Sequence, residues 1–210
     1  MTKTIKGVIF DMDGVLIDAK DWHFEALNRA LGHFGFTISR YDHLVTFDGL
    51  PTRKKLEMLT RERGLPEGLH RFINRLKQVY TMEIVHARCH PRFQHEYALS
   101  RLKAEGYKLA VASNSVRNSV ETMMRYSDLE KYLDAMVSNE DVKNGKPDPE
   151  IYITTMKLLG LKPAECLVIE DNDKGIEAAK RAGMHVCAVK EVDDVTYDRL
   201  VKRIRDLESI

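Results

Sequence analysis

The sequence predicts an α/β fold in which a doubly wound parallel sheet is interrupted once by a small α-helical domain. From Pro91 onward, short apolar runs alternate with amphipathic segments at helical spacing. Between the first apolar run and Pro91, apolar residues recur at helical spacing alone. Alternating strands and helices with short links favour a parallel sheet that helices cover on both faces. The stretch before Pro91 is therefore predicted to be an insertion into that sheet.

The strands are predicted at short runs rich in Val, Ile, Leu and Ala that turn residues bound. The first covers about Ile5–Phe10. The others are predicted near Lys108–Ala112, Ala135–Ser138, Leu167–Ile169 and His185–Val189. Helices are predicted between and after them, near Phe93–Ala104, Arg117–Arg125, Pro149–Leu159, Lys174–Arg181 and Val195–Leu207.

The insertion is predicted to hold three helices. The first carries apolar residues at helical spacing and is ended by a glycine: Trp22, Ala26, Leu27, Ala30, Leu31, Phe34 and then Gly35. The second covers Thr52–Arg63 before Gly64, and the third is marked by residues from Leu69 to Tyr80. We expect a core domain over residues 1–17 and 91–210 and a helical cap domain over residues 18–90. Two linkers would join them, and the cap should act as a lid over the strand ends.

The composition favours a soluble intracellular protein. The 210 residues include 33 Lys and Arg against 32 Asp and Glu, so nothing indicates a nucleic-acid partner. No apolar run approaches the ~20 residues that span a bilayer, and Asp11 interrupts the first run too early for a signal peptide. The three cysteines are odd in number and widely spaced, which argues against a disulfide framework. We expect a cytoplasmic monomer with no membrane partner.

Two aspartates follow the first predicted strand directly. Asp11 and Asp13 are separated by one residue, and Gly14 after them permits a sharp turn. Side chains two residues apart on a strand project to the same side, so both carboxylates could face one phosphorus atom. Taken alone, the pattern also fits turn or helix-cap residues.

Three further polar clusters follow apolar runs or lie in a loop before a predicted helix. Ser113-Asn114-Ser115 and Glu170-Asp171 each follow a strand, and Lys146-Pro147 lies in a loop. Ligands of open parallel sheets bind at the carboxyl ends of the strands, where these groups would meet. Singly, Ser113 could cap a helix, Lys146 could be a solvated charge, and the acidic pair could favour a helix N-terminus.

Together these motifs resemble those of the haloacid dehalogenase (HAD) superfamily. Asp11-Met12-Asp13-Gly14, Ser113-Asn114, Lys146-Pro147 and Glu170-Asp171 stand in that family's order. Further similarity to its phosphatase and β-phosphoglucomutase-like branch lies in residues 11–23, 49–52 and 175–179. The resemblance implies a Rossmann-like core and phosphoryl-transfer chemistry.

The resemblance also implies roles for the aspartates and a metal ion. Asp11 would be the nucleophile that forms an aspartyl-phosphate, and Asp13 the general acid and base. Asp11, the backbone carbonyl of Asp13 and Asp171 would hold Mg²⁺, which prefers oxygen ligands. Glu170 would be a second acidic ligand or bind through water.

The remaining implied residues would contact the substrate. Lys146 would offset negative charge beside Asp11, and Ser113 and the Asn114 backbone amide would donate to the phosphoryl oxygens. His23 in the cap would help to position Asp13, or would be an ordinary helix-surface histidine.

Closure of the cap is expected to place Thr52, Arg53 or His23 against the part of the substrate that does not react. The residues near Gly49 also bear on the type of reaction. A phosphosugar mutase of the resembling branch would place an arginine where this chain has Thr52, with Arg53 one residue later. This departure argues against a mutase, unless the alignment slips by one residue. A zinc site at His86, Cys89, His90 and His95 is not supported by the spacing.

Three functions therefore remain under consideration. The leading hypothesis is a Mg²⁺-dependent phosphatase for a small phosphorylated metabolite, such as a sugar phosphate. The second is a phosphosugar mutase of the β-phosphoglucomutase type, and the third a catalytically retired protein that binds phosphometabolites. Retirement is disfavoured because the nucleophile and the metal ligands are all present.

Overall fold

The structure is a computed structural model and describes residues 4–47 and 50–209. Gly49, part of one segment that resembles the phosphatase branch, lies outside the described residues. The chain forms two compact units. One joins Met1–Asp18 to Cys89–Ile210, and the other is Ala19–Arg88.

The first unit is built on a five-stranded sheet in the order β3-β2-β1-β4-β5, and every pair is parallel. The strands are β1 Gly7–Phe10, β2 Lys108–Ala112, β3 Ala135–Val137, β4 Cys166–Glu170 and β5 His185–Ala188. Residues of β1 and β4 are buried throughout, as expected for a sheet covered on both faces. The predicted α/β fold is confirmed, and the strand bounds agree with the predicted ones to within two residues.

Helices fill the connections between these strands and form the second unit. They are α1 Lys20–Gly32, α2 Arg40–Asp42, α3 Thr52–Arg63, α4 His70–Arg88, α5 Phe93–Ala104, α6 Arg117–Tyr126, α7 Glu150–Leu159, α8 Asp173–Arg181 and α9 Tyr197–Glu208. Within the described residues, none is long and apolar enough to cross a membrane.

The strand register aligns the carboxyl ends of the three central strands. Phe10, the last residue of β1, lies opposite Val111 of β2 and Ile169 of β4. The Asp11 backbone N–H then donates to the Ile169 carbonyl at 3.0 Å, which extends the β1–β4 ladder by one residue. Residues that directly follow these strands therefore lie at one edge of the sheet.

The second unit has a hydrophobic core of its own. Its buried residues come from helices α1, α3 and α4 and the segments between them: Leu27, Ala30, Leu31, Ile38, Phe47, Leu56, Leu59, Leu65 and Ile73. The sequence predicted three helices here and missed α2 and the π-helical turn His43–Phe47 that follows it. The Ser39 hydroxyl caps α2 by accepting from the Asp42 N–H, while Leu44 and Val45 remain exposed. An exposed apolar pair breaks the amphipathic spacing on which the prediction depended.

Candidate active site

The loop after β1 reverses the chain and leaves Asp11 buried at its start. Gly14 adopts a left-handed conformation with φ of 92°, which a side chain would strain. Its N–H donates to the Ile17 carbonyl at 2.7 Å, and the Met12 carbonyl accepts from the Ile17 N–H at 2.9 Å. Asp11 is 8% exposed, so its carboxylate depends on protein groups for its hydrogen bonds.

Lys146 bridges two carboxylates beneath the strand ends. Its Nζ lies 2.5 Å from Asp11 Oδ1 and 2.6 Å from Glu170 Oε1. The Lys146 side chain is only 5% exposed, so the alternative of a solvated loop charge is wrong. The loop before α7 therefore delivers a positive charge to the nucleophile candidate.

Burial controls the ionisation of this pair. Burial raises the pKa of the Asp11 carboxyl well above its ordinary value; the Lys146 charge opposes this rise, and Glu170 and Asp13 add to it. Burial alone would lower the pKa of the Lys146 ammonium, but the Asp11 and Glu170 carboxylates raise that pKa well above its ordinary value. Lys146 is thus the fixed positive charge of the cluster.

Glu170 is held by donors on both of its oxygens. The Tyr152 hydroxyl donates to Oε1 at 2.7 Å, beside the bond from Lys146. The backbone N–H groups of Asp171 and Asn172 donate to Oε2 at 3.0 and 3.2 Å. Gly175 in the first turn of α8 makes room for this carboxylate, because a Cβ there would collide with it.

Ser113 and Asn114 follow β2 and serve different local purposes. The Ser113 hydroxyl is buried and accepts from the Ser115 N–H at 3.0 Å. Helix α6 begins at Arg117, three residues after Asn114, so the helix-cap alternative for Ser113 is wrong. The Asn114 side-chain oxygen accepts from the Lys146 N–H at 3.0 Å and thereby fixes the lysine loop.

Asp13 is oriented by a residue to which the sequence assigned no role. The Ser115 hydroxyl donates to Asp13 Oδ2 at 2.8 Å. Since the Ser115 N–H also donates to Ser113, one residue links the acid candidate to the phosphate-binding candidate. Ser115 was part of the motif Ser113-Asn114-Ser115, but spacing alone does not show which serine meets Asp13.

The carboxylates form a cluster that fits a hard divalent cation. Asp11, Glu170 and Asp171 each place one oxygen within 4.8 Å of the others. An all-oxygen donor set of this kind suits Mg²⁺ rather than a soft metal. The dipole of α8 alone does not account for Glu170, because its carboxylate also accepts from Lys146 and Tyr152.

The histidines and the cysteine considered for a zinc site do not come together. Among the described residues, Asp11, Glu170 and Asp171 are the one group of three or more His, Cys, Asp or Glu side chains close enough to hold a metal ion. The Cys89 thiol is buried and points to the Met123 carbonyl at 3.6 Å. His95 is buried with Nε2 2.8 Å from the Val192 carbonyl, whereas His86 and His90 are exposed.

Comparison with known proteins assigns this geometry to a family. The model of the haloacid dehalogenase-like hydrolases matches residues 8–189. The chain belongs to this family. The prediction of this superfamily is confirmed. The prediction of an enzyme from its phosphatase and β-phosphoglucomutase-like branch is confirmed as well.

Individual relatives of this hydrolase bear the names of phosphatases and mutases. The chain is 36% identical to a phosphorylated carbohydrates phosphatase of Thermotoga maritima, over 86% of this chain and 82% of that protein. It is 30% identical to the β-phosphoglucomutase of Bacillus subtilis, over 97% of this chain and 92% of that protein. A crystal structure of β-phosphoglucomutase from Clostridium difficile shares the fold, with a TM-score of 0.83 and 21% identity over 98% and 100% of the two chains.

The cap candidates of this HAD hydrolase lie in the second unit. His23 on α1 has Nδ1 3.2 Å from Lys77 Nζ on α4. Thr52 is the first residue of α3, and the exposed Arg53 pairs with Glu57 at 2.8 Å. These contacts are internal to the helical unit, so the roles of these residues toward substrate stay predictions.

Proposed function

We propose that this HAD hydrolase is a Mg²⁺-dependent phosphatase that acts on a small phosphorylated metabolite, a sugar phosphate, through an aspartyl-phosphate. The observation that carries the proposal is the buried Asp11 carboxylate, which meets Lys146 at the carboxyl edge of the sheet. The relative named as a phosphatase of phosphorylated carbohydrates supports the choice of substrate class.

The first chemical step transfers the phosphoryl group to Asp11. A carboxylate oxygen of Asp11 forms a bond to phosphorus while the bond from phosphorus to the substrate oxygen breaks. Asp13 gives its proton to the departing oxygen, so the product leaves as an alcohol. The Ser115 hydroxyl, 2.8 Å from Asp13 Oδ2, holds that carboxyl in place.

The second step returns Asp11 to its starting state. Water attacks the phosphorus and gives a proton to Asp13, while the bond from phosphorus to Asp11 breaks and inorganic phosphate is released. One residue therefore acts as acid and then as base, and the two steps restore both aspartates.

Charge on the phosphoryl group requires positive partners. Lys146 supplies an ammonium that is already held beside Asp11, so it needs little reorganisation during the reaction. The Ser113 hydroxyl and the Asn114 backbone amide donate to the phosphoryl oxygens. We assign the metal to Asp11, the Asp13 carbonyl and Asp171, with Glu170 as a further acidic group. When bound, Mg²⁺ supplies a second positive charge at the transferred phosphoryl.

The helical unit is proposed to be the cap. The unit Ala19–Arg88 is an insertion between β1 and α5 with its own core, which suits a domain that moves as one body.

The cysteines fit the proposal that the protein works in the reducing cytoplasm. Burial raises the pKa of the Cys89 thiol to about 11 and that of Cys166 to about 12. Such thiols persist in a reducing compartment. We expect the protein to be a monomer there.

A mutase is the second candidate. The relative named β-phosphoglucomutase covers 97% of this chain, which favours this alternative. Thr52 stands where that reaction would need an arginine for a distal phosphate, and Arg53 is engaged with Glu57. A retired binding protein is disfavoured since the acidic cluster and Lys146 are intact.

A panel of phosphorylated metabolites distinguishes these functions. We expect the protein to release inorganic phosphate from one or more sugar monophosphates, with no bisphosphate added. Phosphate release would be measured for each compound, together with isomerisation of a hexose 1-phosphate. Isomerisation that depends on a bisphosphate primer, with little phosphate release, would show a mutase instead.

The same panel tests the cap. Replacing His23 or Arg53 with Ala should change the ranking of kcat/KM among substrates more than the rate with the minimal donor acetyl phosphate, because cap residues contact the part that does not react. Arg71→Ala, at an exposed position of α4, is the control. One common factor of loss across all donors would show that the cap does not determine specificity.

A further inference from the structure

The hydrogen bonds of Glu170 leave it no acceptor position for a metal ion. An ionised carboxylate offers about four lone-pair sites. Lys146 and Tyr152 occupy those on Oε1, at 2.6 and 2.7 Å. The N–H groups of Asp171 and Asn172 occupy those on Oε2. Glu170 lies close enough to Asp11 and Asp171 to join a metal site, but direct ligation would break one of these bonds.

Tyr152 contacts Glu170 directly and can therefore fix the role of its carboxylate. It lies in the first turn of α7, fully buried, and its hydroxyl has the Glu170 carboxylate as acceptor. Lys146 Nζ also lies 4.9 Å from the centre of the Tyr152 ring, a distance at which the ring face attracts a cation. The tyrosine thus touches both partners of the Lys146–Glu170 ion pair.

We propose that Tyr152 is a positioning residue, which holds Glu170 as the anchor of Lys146 rather than as a direct metal ligand. The proposal rests on the phosphatase function above and refines its site. Asp11, the Asp13 carbonyl and Asp171 then supply the protein ligands. Glu170 fixes the Lys146 ammonium against Asp11 Oδ1, where it meets the phosphoryl group.

The two roles considered for Glu170 predict different effects on metal affinity and on rate when the Tyr152 hydroxyl is removed. If Glu170 binds metal directly, Tyr152 supports a ligand, and losing such a partner weakens metal affinity by about 10- to 100-fold. If Glu170 anchors Lys146, the metal ligands keep their partners while the ammonium loses its fixed position. A misplaced catalytic group lowers the rate by about tenfold or more.

The test is Tyr152→Phe, which removes one hydroxyl and keeps the ring. Mg²⁺ affinity would be measured by calorimetry on the substrate-free protein, and kcat and KM with 4-nitrophenyl phosphate. We expect kcat to fall about tenfold, with KM and the Mg²⁺ Kd within about twofold of wild type. Tyr132→Phe is the matched control, because Tyr132 donates at 3.4 Å to Glu96, which likewise binds a lysine, Lys131 at 3.0 Å.

Each outcome decides the question. A Mg²⁺ Kd that weakens by more than about twofold in Tyr152→Phe would overturn the proposal, because Tyr152 would then support a metal ligand. An unchanged kcat would also overturn it. A wild-type protein that binds Mg²⁺ but releases no 4-nitrophenol would refute the phosphatase function instead, and the two Mg²⁺ affinities would then decide the role of Glu170.

Discussion

Replacing Asp11 with Asn should abolish turnover and leave the fold intact. The amide has the shape of the carboxylate and can still accept from Lys146 through its oxygen, but it is a poor nucleophile. We expect kcat to fall by at least about 10³-fold, because the pathway through a covalent intermediate is lost. Phosphate release from the best sugar phosphate of the panel would measure this loss.

The control for Asp11→Asn is the same chemical change at a remote site. Asp206 is exposed on α9, so Asp206→Asn should keep wild-type kcat. The thermal unfolding midpoints of both variants should stay close to that of the wild type. If Asp11→Asn retains more than about a tenth of the wild-type kcat, Asp11 is not the nucleophile.

Removing divalent cations should also abolish turnover. Without a metal ion, the phosphoryl group meets the clustered charges of Asp11, Glu170 and Asp171, with Lys146 as the positive partner. We expect EDTA to lower kcat by at least about 10²-fold and added Mg²⁺ to restore it. Phosphate release in chelator, then with excess Mg²⁺, measures both effects.

Calcium sharpens this prediction. Ca²⁺ accepts more oxygen ligands than Mg²⁺ and at longer distances, so it should engage both oxygens of Asp11 and prevent its attack. We expect Ca²⁺ to inhibit in competition with Mg²⁺. Full activity in metal-free buffer would refute the metal site.

The sequence predicted well which residues lie at the carboxyl edge of the sheet, because the apolar periodicity and the order of the motifs can be read directly along the chain. Asp11 and Glu170 were expected to meet since each lies where a buried parallel strand ends, and the structure brings both to Lys146. The strand bounds followed from apolar runs that polar residues interrupt. The resemblance of the ordered motifs then supplied roles that spacing alone did not.

The residues whose roles the sequence did not predict depend on tertiary contacts that no local pattern encodes. Tyr152 on α7 has the pattern of an ordinary core residue, and its hydrogen bond to Glu170 arises only when α7 packs on the sheet. Gly175 is needed because the Glu170 side chain occupies the space of its Cβ. The backbone amide of Asn114 was assigned to phosphate and keeps that assignment, but the sequence did not show that the Asn114 side chain fixes the backbone of Lys146.

Trapping the phosphoryl group on Asp11 tests the proposed chemistry most directly. In Asp13→Asn, 4-nitrophenyl phosphate should still react, because nitrophenolate leaves without a proton, whereas attack by water lacks its base. We therefore predict a burst of 4-nitrophenol equal to the enzyme concentration. Mass spectrometry of the acid-quenched protein should find the phosphoryl group on the peptide that carries Asp11. Steady release of 4-nitrophenol with no burst and no phosphorylated Asp11 would contradict the covalent pathway.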